Sequence, residues 1–259
     1  MPDFDVRVPH SARVLDYWLG GKDNFAADRK VGDQAREAYP NIVFGARANR
    51  AFLARAVLFL VDAGIRQFLD IGTGIPTANN THEVAQHAAP DSRIVYVDND
   101  PIVLSHAKAL LKSTPQGACG YIDADMHDLD TILAGAAQTL DFAKPVAVML
   151  LNVLHLVGED AEAHRIVREL MTACVPGSFL TISHPARDID AEQTAEATRR
   201  LNRSLALKAA LRDHEGVSRL FSGFDLVPPG LVSVTGWRPE SELRFVSPAA
   251  LWAGVARKP

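Results

Sequence analysis

The chain has little of what marks several broad classes of protein. It carries only two cysteines, Cys119 and Cys174, and they form no CxxC pair. Each therefore reads as a buried thiol in a reducing compartment rather than half of a disulfide or a metal site. No stretch is apolar enough to span a bilayer. The most hydrophobic one, 145–157, is too short and is interrupted by Asn152 and His155. The first residues show no basic start followed by an apolar run and a small-residue cleavage site. Basic residues do not exceed acidic ones: 27 Lys and Arg stand against 31 Asp and Glu, for a net charge of −4. That balance lacks the basic footprint of a nucleic-acid surface. The histidines show no metal-like pairing, and no Cys/His/carboxylate cluster has zinc-site spacing. Repeats and low-complexity segments are missing too. The expectation is a cytoplasmic globular protein that binds neither nucleic acid, membrane nor metal.

What is present is an ordinary globular composition, 47% hydrophobic and 22% charged, in a chain long enough for one large domain or a domain with a cap. The first sixty or so residues read as helices: 11–19, stopped by Gly20-Gly21; 27–39, stopped by Pro40; and 46–63, ended by Gly64. They predict an N-terminal helical cap over 1–63 and a second unit over 64–259. From position 65 the pattern changes to short apolar runs alternating with helices. Strands are expected at 67–71, 93–98, 118–122, 146–151 and 179–183, with helices near 81–89, 101–112, 129–140 and 161–173. Such alternation argues for βαβ units and a parallel sheet covered on both faces. A long helix at 191–212 follows, then a shorter one ending near 221, a strand at 224–227 that resumes towards 234, and a final strand at 251–257.

The first strand ends in Asp70-Ile71-Gly72-Thr73-Gly74. Glycines just past a strand let the backbone turn sharply and approach a ligand closely. A dinucleotide fingerprint would need a third glycine at position 77, which is Thr77. Asp70 would moreover repel a diphosphate, whereas it would attract the ammonium or sulfonium of S-adenosylmethionine. The second strand ends in Asp98-Asn99-Asp100-Pro101, where an acidic side chain can accept hydrogen bonds from both ribose hydroxyls. The third ends in Asp123-Ala124-Asp125-Met126. There either carboxylate suits the adenine amino group, and Met126 can pack on the ring. All three segments lie at carboxyl ends of successive strands, where open α/β sheets bind ligands.

The series FLDIGTG, VYVDNDP and YIDADM resembles the successive motifs of class I S-adenosylmethionine-dependent methyltransferases. The segments SARVLDYWLGGKDNFAADR, ARANR, GIRQFLDIGTGIPT, LLNVLHLV, GSFLTISHPAR and GWRPE are similar to a bacterial family. It was first catalogued as a domain of unknown function and later renamed "S-adenosyl methyltransferase". The similarity spans nearly the whole chain, with Pro76 departing where the class often carries a third glycine. The resemblance implies an α/β, Rossmann-like fold with a seven-stranded, mostly parallel sheet whose last strand is antiparallel. It implies S-adenosylmethionine as cofactor, with S-adenosylhomocysteine as product. It also implies cofactor contacts at Asp70, Gly72, Gly74, Asp98, the Asp125-Met126 turn and Leu151-Asn152, with Thr73 and Asn99 beside them.

Methyl transfer asks for an aligned acceptor and, where the nucleophile is protonated, a base. His155, just past the fourth strand, is the candidate catalytic base, and His184, past the fifth, is a second candidate. In the N-terminal helices Tyr17, Gly20, Gly21 and Asn24 surround a tight turn, and Arg47 and Arg50 can answer the cofactor's carboxylate. The expectation is a lid over the cofactor's methionine end that includes Tyr17, Gly20, Gly21, Asn24 and Arg50. Trp18 reads as packing, while the Trp237-Arg238-Pro239 segment can shape a substrate pocket. Two functions stand: a methyltransferase acting on a small-molecule acceptor, or a cofactor-binding sensor or partner-binding module without transfer activity. The residues name neither the acceptor nor an oligomeric state.

Overall fold

A computed structural model describes residues 5–76, 79–103, 112–239 and 247–259. Three helices lead the chain: α1 (Ser11–Leu19), α2 (Ala26–Ala38) and α3 (Ile42–Asp62). The α/β part runs β1 (Gln67–Ile71), α4 (Thr81–Ala88), β2 (Arg93–Asp98), β3 (Ala118–Asp123), α5 (Leu129–Ala136), β4 (Ala147–Leu151), α6 (Asp160–Thr172) and β5 (Phe179–Pro185). It closes with α7 (Ala191–Ser204), α8 (His214–Arg219), β6 (Asp225–Leu226), β7 (Val232–Ser233) and β8 (Leu251–Arg257). The helix expected at 101–112 begins at Pro101, with Asp100 accepting the Ile102 N–H at 2.8 Å as its cap. Most of that helix, with His106 and Thr77, lies outside the described residues.

Strands β1 to β5 are parallel, in the order β3-β2-β1-β4-β5, and β8 runs antiparallel beside β5. Both β6 and β7 pair with the outer edge of β8. The single sixth strand suggested by the sequence is thus split in two, so eight strands fill seven positions. Pro228 and Pro229 stand between the pieces and have no N–H to give a ladder. The nearly continuous apolar runs have a simple cause: alternate residues serve opposite faces. Leu69, Val95, Val148 and Leu180 pack in the core on one face. Phe68, Ile94, Tyr96 and Met149 pack on the other, under Phe52, Ala56 and Leu60 of α3. Within the expected 1–63 cap, then, α3 is built into the sheet's own layer, while α1 and α2 stand beyond it. Trp237 belongs to that layer as well, edge-on to Phe52 with ring centres 5.3 Å apart. It is fully buried there, which corrects its expected place in a substrate pocket.

The chain leaves β3 and returns to β4 on the far side of β1, so the strand order reverses between β1 and β4. The carboxyl ends of the two strands diverge there into a crevice. α1 and α2 pack together, and α2 packs against α7.

The 191–212 helix is an expectation that the structure shortens, because α7 stops at Ser204. Asn202 turns the chain back: its side chain donates to the Ala209 carbonyl at 2.9 Å and accepts the Ala209 N–H at 2.8 Å. Lys208 Nζ donates to the Leu205 carbonyl at 2.7 Å, satisfying one orphan carbonyl of the helix end. The following residues run back over the crevice and carry Arg212 into the sheet's carboxyl end.

Candidate active site at the carboxyl end of the sheet

The crevice is a cavity with two walls. One is made by strand ends and includes Gly72, Gly74, Asp98, Asp125, Met126 and Asn152. The other is helical and includes Ser11, Leu15 and Trp18 of α1, with Leu201 of α7 and Leu205 and Ala209 beyond it. His155 lies between them.

The β1 turn is held by backbone geometry that only glycine supplies without strain. Gly72 has φ +74°, and a Cβ on it would stand 2.3 Å from Val153 Cγ2, so the turns after β1 and β4 touch there. Gly74, at φ +65°, is open on the side where a Cβ would project, and it faces the cavity. Its N–H donates to Asp98 Oδ2 at 2.7 Å, while the Asp100 N–H donates to Asp98 Oδ1 at 3.0 Å. Each Asp98 oxygen therefore holds one backbone donor and keeps acceptor capacity for another. Burial pushes the Asp98 carboxyl above its usual range, against the pull of those two N–H groups. Asn99 Nδ2 donates to Asp125 Oδ2 at 3.2 Å, joining the ends of β2 and β3. Asn152 takes φ +54°, and its N–H donates to the Ser183 carbonyl at 2.9 Å. Left-handed backbone at a non-glycine residue facing a cavity is the kind of outlier found at working sites.

The remaining strand-end residues of the expected set are turned inward. Asp70 is buried, and its Oδ2 accepts the Thr81 hydroxyl at 2.6 Å, fixing the start of α4. Burial pushes its carboxyl up to about 6, although the Thr81 bond and the Arg50 charge pull it down. Arg50 donates to the Asn79 carbonyl at 3.0 Å. Thr73 Oγ1 donates to the Asp70 carbonyl at 3.1 Å, and Leu151 is buried beneath the turn. In the helical wall, Tyr17 donates to Asp33 at 2.9 Å. Gly20 and Gly21 make the turn after α1, where Asp16 accepts Asn24 Nδ2 at 2.8 Å and the Asp23 N–H at 2.9 Å. A Cβ at Gly21 would overlap Asp16 Oδ1. Tyr17, Gly20, Gly21, Asn24, Arg50, Asp70, Thr73 and Leu151 thus stand behind the cavity lining and hold it in shape. Arg47 is exposed on α3.

His155 sits in a short 3-10 turn after β4, Leu154–Leu156, and faces the cavity. Its Nδ1 is buried without a hydrogen-bond partner among the described residues. Burial, helped by the nearby Arg212 charge, takes its pKa down to about 4, so the ring is neutral at pH 7. His184, the other candidate base, is fully buried and engaged at both nitrogens. Nδ1 lies 2.9 Å from the Pro185 carbonyl and Nε2 lies 2.8 Å from Arg212 Nη1. The carbonyl can only accept and the guanidinium only donate, so the proton is on Nδ1 and no nitrogen is left for a substrate. His184 is a strut.

Sequence reasoning did not find Arg212. Its guanidinium is buried and donates to the carbonyls of Leu154 at 3.1 Å and Val157 at 2.9 Å, pinning the turn that presents His155. Nor did it find Asn49 of α3, which is 9% exposed and whose Oδ1 has no partner among the described residues. Arg212 is placed by contacts distant in sequence, which no local signal marks, while Asn49 lies in the ARANR segment, which marks the family and not a role.

A family model described as S-adenosyl methyltransferase matches residues 1–259. The structure of a DUF574 family protein from Streptomyces avermitilis is 41% identical, with 98% of this chain and 99% of that one covered at a TM-score of 0.95. A Thermobifida fusca protein, provisionally described as a methyltransferase, is 40% identical over 99% of this chain and 97% of its own, at 0.91. The N-methyltransferase NodS from Bradyrhizobium japonicum, in complex with S-adenosyl-L-homocysteine, shares the fold at 13% identity. It covers 83% of this chain and 88% of its own, with a TM-score of 0.51. No curated protein matches. Together with a glycine turn and carboxylates converging at the strand-order reversal, the match places this chain in the S-adenosyl methyltransferase family, with S-adenosylmethionine as its methyl donor.

Proposed function

We propose that the cavity holds S-adenosylmethionine between the two walls and that the protein methylates a small-molecule acceptor beside it. The observation that carries this reading is the convergence of Gly72, Gly74, Asp98, Asp125, Met126 and Asn152 on one cavity roofed by α1. The residues fit the cofactor. Gly74 leaves room where a side chain would project, and Asp98 keeps an acceptor on each oxygen for the ribose hydroxyls. Asp125 and Asn99 flank the adenine position, with Met126 against the ring, and Asn152 lies at the methionine end. Asp70, Thr73, Leu151 and Arg50 act from behind, by fixing the turn. Tyr17, Gly20, Gly21 and Asn24 act likewise, by fixing α1 as a lid.

When bound, the cofactor supplies an electrophilic methyl group whose carbon–sulfur bond breaks with the electron pair staying on sulfur. The protein aligns the acceptor and excludes water. His155 receives the acceptor's proton. A ring that is neutral at pH 7 is ready to accept one, and a hydroxyl or amine becomes strongly acidic as it is methylated, so a weak base suffices. The low net charge and the lack, among the described residues, of a helix long and apolar enough to cross a membrane support a cytoplasmic enzyme working on neither nucleic acid nor lipid. The helical wall favours transfer over a sensor role, because it screens the reacting centre from solvent.

Calorimetry tests the site. S-adenosylhomocysteine should bind at micromolar strength, and NADH far more weakly. Asp98→Ala should cost roughly 2–4 kcal/mol of that affinity, while His155→Ala leaves it within a few-fold. Affinity within threefold of the parent for Asp98→Ala would remove the ribose assignment.

A further inference from the structure

A second cavity opens beside the first and shares Leu15, Trp18, Asn152, His155, Leu201 and Ala209 with it. The rest of its lining comes from Tyr39 just after α2, from α3, from α7 and Leu211 beyond it, and from the end of β5 and the start of β8. Among the described residues lining it there is no Asp, Glu, Lys or Arg. A charged ligand placed there would lose its hydration and gain no ion partner. Most polar groups on its walls are already engaged. The Tyr39 hydroxyl donates to Asp190 at 2.9 Å, and Trp18 Nε1 donates to the Gly32 carbonyl at 3.2 Å. Both residues therefore offer rings. Thr194 Oγ1 donates to the Asp190 carbonyl at 3.1 Å within its own helix. Two buried side-chain atoms on its walls have no partner among the described residues: Nδ1 of His155, the proposed base, and Asn49 Oδ1, an acceptor on a residue that is 9% exposed. A buried carbonyl oxygen left unmet costs free energy, and because Asn49 is a lining residue of the cavity, a donor brought in by a ligand can meet it.

We infer that this second cavity is the acceptor pocket. It receives an uncharged, largely apolar aromatic molecule with two hydrogen-bond donors, one reacting at His155 and one held by Asn49. This makes Asn49 the residue that sets the register of the acceptor, and it makes charge the main ground for rejection. The inference rests on the methyl-transfer reading above, and it specifies the substrate class for that site.

Titrations on one scaffold test it. With saturating S-adenosylhomocysteine, the full chain is titrated with 2-naphthol, with the dihydroxynaphthalene isomers and with 6-hydroxy-2-naphthoate. At least one neutral diol should bind ten times more tightly than the carboxylate. Asn49→Leu, close to isosteric, should weaken that diol about tenfold, ~1.4 kcal/mol, while 2-naphthol and S-adenosylhomocysteine stay within threefold. Asn49→Ala should give the same pattern and serves if the leucine variant does not fold. Carboxylate binding equal to or tighter than every diol overturns the proposal, as does loss of diol and 2-naphthol in equal measure. If S-adenosylhomocysteine itself fails to bind, both readings fall; if it binds without the preference, only this one does.

Discussion

The two walls of the active-site cavity are built in different ways. The strand-end wall is set by the sheet: Gly72, Gly74, Asp98 and Asp125 each sit within three residues of a strand, and backbone N–H groups of the strand-end turns hold the carboxylates. The helical wall is anchored instead by side chains of its own segments and by Arg212. α1 is fixed through the Asp16 turn and through Asp28, which accepts the backbone N–H groups of His10 and Phe25 at 2.9 and 2.8 Å. The stretch after α7 is fixed by Asn202 and Arg212. The difference assigns the walls their tasks. A wall that the sheet enforces can recognise an invariant cofactor. A wall of apolar side chains on separately anchored helices can be reshaped for an acceptor without disturbing the sheet.

The sharpest way to break this contrast is to strike the enforced wall. Gly72→Ala adds a Cβ 2.3 Å from Val153 at a φ of +74°, so the turn must shift. Its expected cost is at least tenfold in S-adenosylhomocysteine affinity. Gly72→Ala with Val153→Ala should recover only part of that, because the backbone strain remains. Calorimetry on the two variants reads this directly. Undiminished affinity in the single variant would mean that the β1 turn does not shape the site.

Acid should weaken the seam between the walls. His155 and His184 have folded pKa values lowered to about 4 and about 3 by burial, from an unfolded value near 6.5. The folded state therefore binds fewer protons than the unfolded one. The stability present above pH 6.5 is lost as pH falls towards those values. Asp70, raised to about 6, works in the opposite sense over an overlapping range, but its shift is smaller than the two histidine shifts together. Urea midpoints should fall steadily from pH 6.5 to 4, and His184→Gln should flatten the slope. A flat parent profile would show that the two rings titrate as they do in water.

The same contrast explains what the sequence disclosed. β1, β2 and β8 appear with the expected bounds, because apolar runs ending in Gly, Asp or Pro are local signals. The cavity residues at the strand ends were legible for the same reason. The helical wall was legible only as helices. Tyr17 and Asn24 are polar groups near a glycine turn, yet that turn is spent on Asp16, and the face of α1 towards the cavity is Ser11, Ala12, Val14, Leu15 and Trp18. The break after Ser204 carries neither Gly nor Pro. It is made by a side chain seven residues away from its backbone partner, which no helical periodicity reveals.

Hydrogen exchange with and without S-adenosylhomocysteine tests the central claim, that the cofactor lies between the two walls. The account predicts slowed exchange at Gly72 to Gly74, at Asp98 to Asp100 and around Met126, together with slowed exchange across α1, while α6 on the outer layer is unchanged. Tight binding that leaves the strand-end turns and α1 exchanging as before would contradict it.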